Sequence, residues 1–209
     1  MNSRKKLLLN CRAYAVLDKE VLGSASLLKH LVRIKSSGLD IVQLRDKVSC
    51  KKEVFQDAKI FQKVFSKSNK LFIINDHVDI ALLVDCDGIH LGQDDLPLEA
   101  VRKLTGRSKI IGISCHSLRQ ALKAQEEGAD YISIGPIYAT PTKPDYKAVG
   151  LSLLATCAKK IKIPFFAIGG INPLTISDCI AYGATRAALC RAAYNKSDTL
   201  KIVTSLNQF

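Results

Sequence analysis

Asp76 and Asp95 each close a short apolar run, and carboxylates so placed can hold a cation. The first run is Leu71-Phe72-Ile73-Ile74, ending in Asn75-Asp76. The second is Gly88-Ile89-His90-Leu91-Gly92, ending in Gln93-Asp94-Asp95. Between them, residues 78–84 space their apolar side chains for a short helix. Strand, helix, strand is a crossover that makes the two strands parallel, so their C-terminal ends lie side by side. Asp76 and Asp95 then face one site despite their separation in sequence. A hard cation such as Mg²⁺ takes one or two carboxylates and keeps its other positions for water and phosphate oxygens. Either Asp alone would serve equally as a helix cap. As a pair, with Asn75, His90 and Gln93 alongside, they favour a site.

The rest of the chain supplies more such units. Strands are expected at 14–17, 39–44, 71–74, 88–92, 109–113, 131–135, 164–168 and 186–190. Helices are expected at 26–34, 51–66, 78–84, 97–104, 118–127, 151–160, 173–182 and 198–206. In the second of these, Val54, Ala58, Phe61 and Phe65 share one face; Pro97 suits a first helical turn. Continuous apolar strands belong to a parallel sheet covered on both faces. Eight strand–helix units in 209 residues make a single (β/α)8 TIM barrel over residues 1–209 the expected α/β fold, with a doubly wound open sheet the alternative. The irregular stretch 136–150 is long for a connection in such a fold, which marks it as a lid or ligand-binding loop.

In a barrel of this kind the working face lies at the C-terminal ends of the strands. Read there, the sequence offers Gln43, Arg45 and Lys47; Asn75 and Asp76; His90, Gln93 and Asp95; Ser114 and His116; Thr140, Thr142 and Lys143; and Gly169-Gly170. Cations, hydroxyls, amides and bare backbone with two carboxylates describe a polyanion site. Arg45 and Lys47 would meet phosphate oxygens from one side and Lys143 from another, while Asp76 and Asp95 hold the metal. Gly169-Gly170 would offer N–H groups and a helix N-terminus to a second phosphate. Each residue also has an ordinary reading. His90, inside an apolar strand, is more often a hydrogen-bonded core histidine; His116 can simply begin a helix; Thr140 and Thr142 can be turn residues; and glycine closes many strand-to-helix turns. There is no Ser-His-Asp spacing, GxSxG elbow or Walker P-loop.

Composition narrows the classes. The chain is 47% hydrophobic, has no Trp and carries a net charge of +12. That charge suits anionic ligands, but the longest basic runs are short and two of the three lie in helical stretches, so no nucleic-acid partner is expected. Seven cysteines with no CxxC pair read as small core residues of a reducing compartment. The basic start is followed by an apolar run that Arg12 interrupts, with no small-residue cleavage site, so no signal peptide is expected. No stretch is long enough to span a membrane. A cytoplasmic, soluble protein is the expectation, and a homo-oligomer is compatible with it.

Six motifs together resemble the thiamine phosphate synthase family: QLRDK (43–47), INDHVDIAL (74–82), DGIHLGQDD (87–95), GISCHS (112–117), GADYISIGPIYATPTKP (128–144) and AIGGIN (167–172). The resemblance implies a (β/α)8 barrel and a Mg²⁺-dependent transferase. Such an enzyme joins 4-amino-2-methyl-5-hydroxymethylpyrimidine diphosphate to a thiazole phosphate, giving thiamine phosphate and pyrophosphate. It implies that Gln43, Arg45, Lys47 and Asn75 hold the pyrimidine diphosphate; His90 is a further substrate-binding candidate. Asp76 and Asp95 would bind Mg²⁺. Ser114 and Lys143 would face the pyrophosphate and, with Arg45, act on its departure. Thr140, Thr142 and Gly170 would hold the thiazole phosphate.

One region departs from the pattern. Where the family ends its eighth strand in a sequence like GADGVAVVSAI, this chain has GATRAALCRAA (183–193), with Arg191 at the Ser position and Thr185-Arg186 for Asp-Gly. Arg191 can replace a hydroxyl contact with a charged one or crowd the site; retained activity with altered affinity for the thiazole partner is the expectation. A thiazole tautomerase on the same barrel is the nearest rival, although it has no use for HLGQDD or TPTK. A non-catalytic basic barrel that binds phosphate ligands is the rival from another class, with steep salt dependence as its signature.

Overall fold

The computed structural model describes residues 3–142 and 146–208; Lys143, expected at the site, lies outside the described residues. Strands β1 (Ala13–Asp18), β2 (Ile41–Arg45), β3 (Leu71–Asn75), β4 (Gly88–Leu91), β5 (Ile110–Cys115), β6 (Tyr131–Ile134), β7 (Phe165–Ile168) and β8 (Ala187–Leu189) pair in chain order. Every pairing is parallel, and β8 closes on β1 through Ala13↔Ala187, Tyr14↔Ala188 and Ala15↔Leu189. The closed barrel excludes the open sheet.

The helices are α1 (Ser3–Asn10), α2 (Lys19–Leu22), α3 (Leu27–Lys35), α4 (Lys51–Phe65), α5 (Val78–Leu83), α6 (Leu98–Thr105), α7 (Leu118–Glu126), α8 (Gly150–Lys160), α9 (Ile176–Ala181) and α10 (Lys196–Leu206), with a 3-10 turn at Arg191–Tyr194. As expected, α4 turns Val54, Ala58, Phe61 and Phe65 inward. Two helices are additions to the sequence reading. α2 is a single turn whose first N–H groups, those of Glu20 and Val21, are capped by Asp18 Oδ1. α1 sends Arg4 to Asp87 at 2.7 Å and Lys5 to Asp130 at 2.5 Å. Its Leu8 packs with the barrel-interior residues Tyr14, Ile41 and Leu71, which closes the N-terminal mouth.

Three aspartates set that lower rim. Asp40, Asp87 and Asp130 each stand just before an even-numbered strand. Each accepts from N–H groups of the preceding odd-numbered strand or its lead-in: Ala13 and Arg12, then Phe72, then Ile111, at 2.7–2.9 Å. Donors that the barrel ladder leaves over are thereby satisfied. Among the described residues all seven cysteines are free, and five are buried as the sequence suggested; Cys50 is exposed and Cys190 is half-buried. Among the described residues no helix is long and apolar enough to cross a membrane.

Candidate active site

β3 and β4 deliver Asp76 and Asp95 to the same rim. Neither is a helix cap. The residue before α5 is His77, and that before α6 is Pro97, neither with a side-chain cap bond. Asp95 Oδ2 instead accepts the Gly92 N–H at 2.7 Å within its own turn. Asp76 holds a left-handed backbone, φ 59°, uncommon for a residue with a side chain. Its N–H donates to the His90 carbonyl at 2.9 Å, which locks the β3 end against β4. Its Oδ2 is buried and accepts no well-aligned hydrogen bond, although the Lys47 ammonium lies against it. Burial, followed by Asp95 beside it, pushes the Asp76 carboxyl up to about 6. Burial opposes ionisation of Asp95 too, but its contacts with Asp76 and the Gly92 N–H bring it below the ordinary carboxylate value. Two facing carboxylates that resist double ionisation fit a divalent cation. They are a pair: among the described residues no three His, Cys, Asp or Glu side chains converge.

Two cavities meet above the barrel. One, about 370 Å³, is lined by Lys47, Asn75, Asp76, Gln93, Asp95 and the loop residue Tyr146. The other, about 500 Å³, is lined by Tyr138, Thr140, Gly169, Gly170, Cys190 and Arg191, among others. Arg45, Ser114 and Thr142 line both. The long loop after β6 thus contributes walls to each cavity. Of the residues singled out from sequence, Gln43 and His90 lie below these cavities rather than in their walls. Both are buried in the barrel interior.

That interior carries a continuous polar chain. Gln43 Nε2 donates to Tyr14 Oη, which lies 2.9 Å from Tyr131 Oη. Tyr131 Oη is 2.9 Å from His90 Nδ1, and His90 Nε2 is 2.9 Å from Ser114 Oγ. Sequence reasoning missed Tyr14 and Tyr131 because each sits in an apolar run that reads as core. Asp18 was also missed. It is buried, caps α2 and pairs with the Arg45 guanidinium, which it holds at the junction of the cavities.

Several neighbours act as struts. Asp46 Oδ1 accepts from the Val48 and Ser49 N–H groups at 3.0 and 2.9 Å, a turn that leaves Lys47 at the rim. Gln93 Nε2 donates to the Ser114 carbonyl at 2.6 Å, and His116 Nδ1 lies 2.5 Å from the Gly135 carbonyl. Gly169 and Gly170 have φ values of 94° and 69°, and a Cβ on either would press on Pro136 or Tyr138. The helix after them is a correction to the sequence reading. α9 starts at Ile176 rather than at residue 173, because Asn172 Oδ1 is engaged by the Leu174 and Thr175 N–H groups. No helix N-terminus therefore follows the glycines directly, and it is the turn itself that lines the cavity. β8 is likewise shorter than expected: Arg186 turns to the lower rim, where it donates to the Cys11 and Leu9 carbonyls.

Comparisons with known proteins agree with this fold. The family model described as thiamine monophosphate synthase matches residues 13–193. A thiamine-phosphate synthase of Halalkalibacterium halodurans is 46% identical over 179 residues, 85% of each chain. One of Lawsonia intracellularis is 43% identical over 182 residues, 87% of this chain and 84% of its own. Among solved structures, a thiamine phosphate pyrophosphorylase from Pyrococcus furiosus superposes with a TM-score of 0.86 at 28% identity, covering 99% of this chain and 98% of that one. The match runs from the first barrel strand through the Arg191 turn and takes in every described residue shared by the two cavities; the chain belongs to the thiamine monophosphate synthase family of transferases.

Proposed function

We propose that the chain is a Mg²⁺-dependent synthase that joins an aminopyrimidine-methyl diphosphate to a thiazole phosphate and releases pyrophosphate. The observation that carries this reading is the meeting of two cavities at Arg45, Ser114 and Thr142. The polar cavity suits a diphosphate and its cation, and the larger one suits a ring with its own phosphate. Asp76 and Asp95 would hold Mg²⁺, which when bound neutralises charge on the diphosphate.

The other roles fall to the chain itself. The pyrimidine methylene–oxygen bond breaks with its electron pair leaving on pyrophosphate, and the thiazole nitrogen lone pair then forms the new carbon–nitrogen bond. Arg45, Lys47 and the Ser114 hydroxyl stabilise the departing charge; Lys143 is assigned the same role from its motif. Thr140, Thr142, Gly170 and Arg191 hold the thiazole phosphate so that the nitrogen is in line. Asn75, which lines the polar cavity, holds the diphosphate side. No protein nucleophile is required. The two thiols lining the larger cavity suit that chemistry, because burial raises Cys115 to about 12 and Cys190 to about 11, leaving both as thiols at neutral pH.

Pyrophosphate release measured with both substrates and Mg²⁺ tests the reading. Release should require all three components and should fall at least ~100-fold in Asp95→Ala; no release from folded wild-type protein overturns it. Arg191 gives a separate prediction. Arg191 lines the larger cavity where the family pattern has a Ser. Arg191→Ala should raise KM for the thiazole phosphate about tenfold while kcat and KM for the pyrimidine diphosphate change little, the pattern of lost uniform binding. A higher affinity in the variant would show that Arg191 crowds the site.

A further inference from the structure

We infer that Tyr131, reaching across the bare backbone of Gly112, is a positioning residue that sets the tautomer of His90 and so aims the Ser114 hydroxyl proton into the site. The inference rests on the reading of Ser114 as a contact of the departing diphosphate.

The register makes the reach possible. Gly112 on β5 lies between His90 on β4 and Tyr131 on β6, paired with both. A Cβ at Gly112 would come within 2.1 Å of the Tyr131 ring. The absence of a side chain there is therefore what lets the phenol cross β5 and meet His90 Nδ1. Phe166 and Tyr14 hold the ring edge-on, with centroids 5.6 and 5.9 Å away.

The heavy-atom chain can carry its protons in two directions. With the Gln43 amide nitrogen toward Tyr14, that nitrogen can only donate. Tyr14 then donates to Tyr131, and Tyr131 donates to His90 Nδ1. Neutral His90 carries its proton on Nε2 and donates to Ser114 Oγ. Ser133 Oγ, 3.5 Å from Ser114 Oγ, adds a second, longer donor. Both lone pairs of Ser114 are then used within the barrel, and its own proton is left to point outward. With the amide reversed, Ser114 donates inward to His90, and its lone pairs face the diphosphate. That arrangement repels an anion at the junction of the two cavities, where Arg45 and Thr142 are the other shared walls. The first direction is the one that serves the site, and Tyr131 is the link through which it passes.

The test reads the tautomer directly. Long-range ¹H–¹⁵N spectra of histidine-labelled protein with Mg²⁺ and pyrophosphate should show His90 neutral with its proton on Nε2; the signal is assigned among the four histidines by its loss in His90→Gln. In Tyr131→Phe, which keeps the ring packing, the Nδ1–H form should grow. The rate should drop at least tenfold at nearly unchanged KM for the pyrimidine diphosphate. Tyr14→Phe, one link further away, should give the same change of smaller size. An Nδ1–H tautomer in the wild-type complex overturns the proposal, as does a folded Tyr131→Phe protein with unaltered tautomer and rate. A wild-type protein that shows the Nε2–H tautomer yet releases no pyrophosphate from the two substrates overturns the functional reading instead.

Discussion

Asp76→Asn should abolish most of the synthase activity while leaving the metal-free protein at least as stable as the wild type. The expected rate loss is about a thousandfold, the upper part of the range for removing one preorganised charge contact from a transition state. Stability should move the other way because of the sign of the carboxyl's shift. Asp76 titrates near 6 in the folded chain against an ordinary value of 3.8, so the folded state binds its proton more tightly than the unfolded chain does. Stability is therefore lost as pH rises from about 4 to about 6 and stays lost above that. Asn carries no charge to be repelled by Asp95 and tolerates the left-handed backbone at this position. In the absence of metal, the wild-type Tm should fall across that window more steeply than the variant's, which among the described residues keeps only the half-buried Asp87 with a raised carboxyl. Added Mg²⁺ should raise the wild-type Tm more at pH 7.5 than at pH 5, since binding must displace the shared proton. In Asp76→Asn that metal response should shrink at both pH values. Thermal melts at two pH values, with and without Mg²⁺, decide it; a variant that keeps the wild-type rate, or melts lower than wild type at pH 7.5 without metal, sinks the assignment.

The barrel was legible in the sequence because its strands are short, apolar and each followed by a helix-period run, and those signals are local. The site was legible where polar residues interrupt the strand ends, as at Gln43–Lys47 and Asn75-Asp76. What stayed hidden depends on partners far away in the chain. α1 falls in a basic start that shows no helix in sequence; only the fold brings Arg4 and Lys5 to Asp87 and Asp130. Asp18 reads only as the residue that closes the first strand; its cap of α2 and its pairing with Arg45 on the next strand appear only in the fold. Tyr131 reads as core because only the fold brings Gly112 under its ring. Strand alternation did hold a signal: Tyr14, Val16 and Asp18 share one face of β1, and Tyr131 and Ser133 share one face of β6. Following that phase inward from Gln43 and Ser114 would have collected the polar chain and the Arg45 partner together.

Arg45→Ala is expected to damage fold and function at once, and a second substitution separates the two. Asp18 is 2% exposed and the Arg45 side chain 17%, so truncating Arg45 strands a buried carboxylate. Breaking such a pair by removing one partner costs about 3 kcal/mol. Activity should fall as well, because the guanidinium at the junction of the cavities is gone. In the double variant Arg45→Ala with Asp18→Asn, no buried charge remains uncompensated, and Asn still accepts from the Glu20 and Val21 N–H groups that open α2. Most of the lost stability should return in a denaturant titration, while pyrophosphate release stays at the level of the single variant. If activity returned together with stability, Arg45 would be a structural counter-ion to Asp18 and not a contact of the diphosphate. If neither returned, the cost of Arg45→Ala would lie in packing along the guanidinium stem. Recovery of the fold alone assigns Asp18 the task of presenting Arg45, with the barrel using a buried carboxylate to hold a cation where two anionic substrates meet.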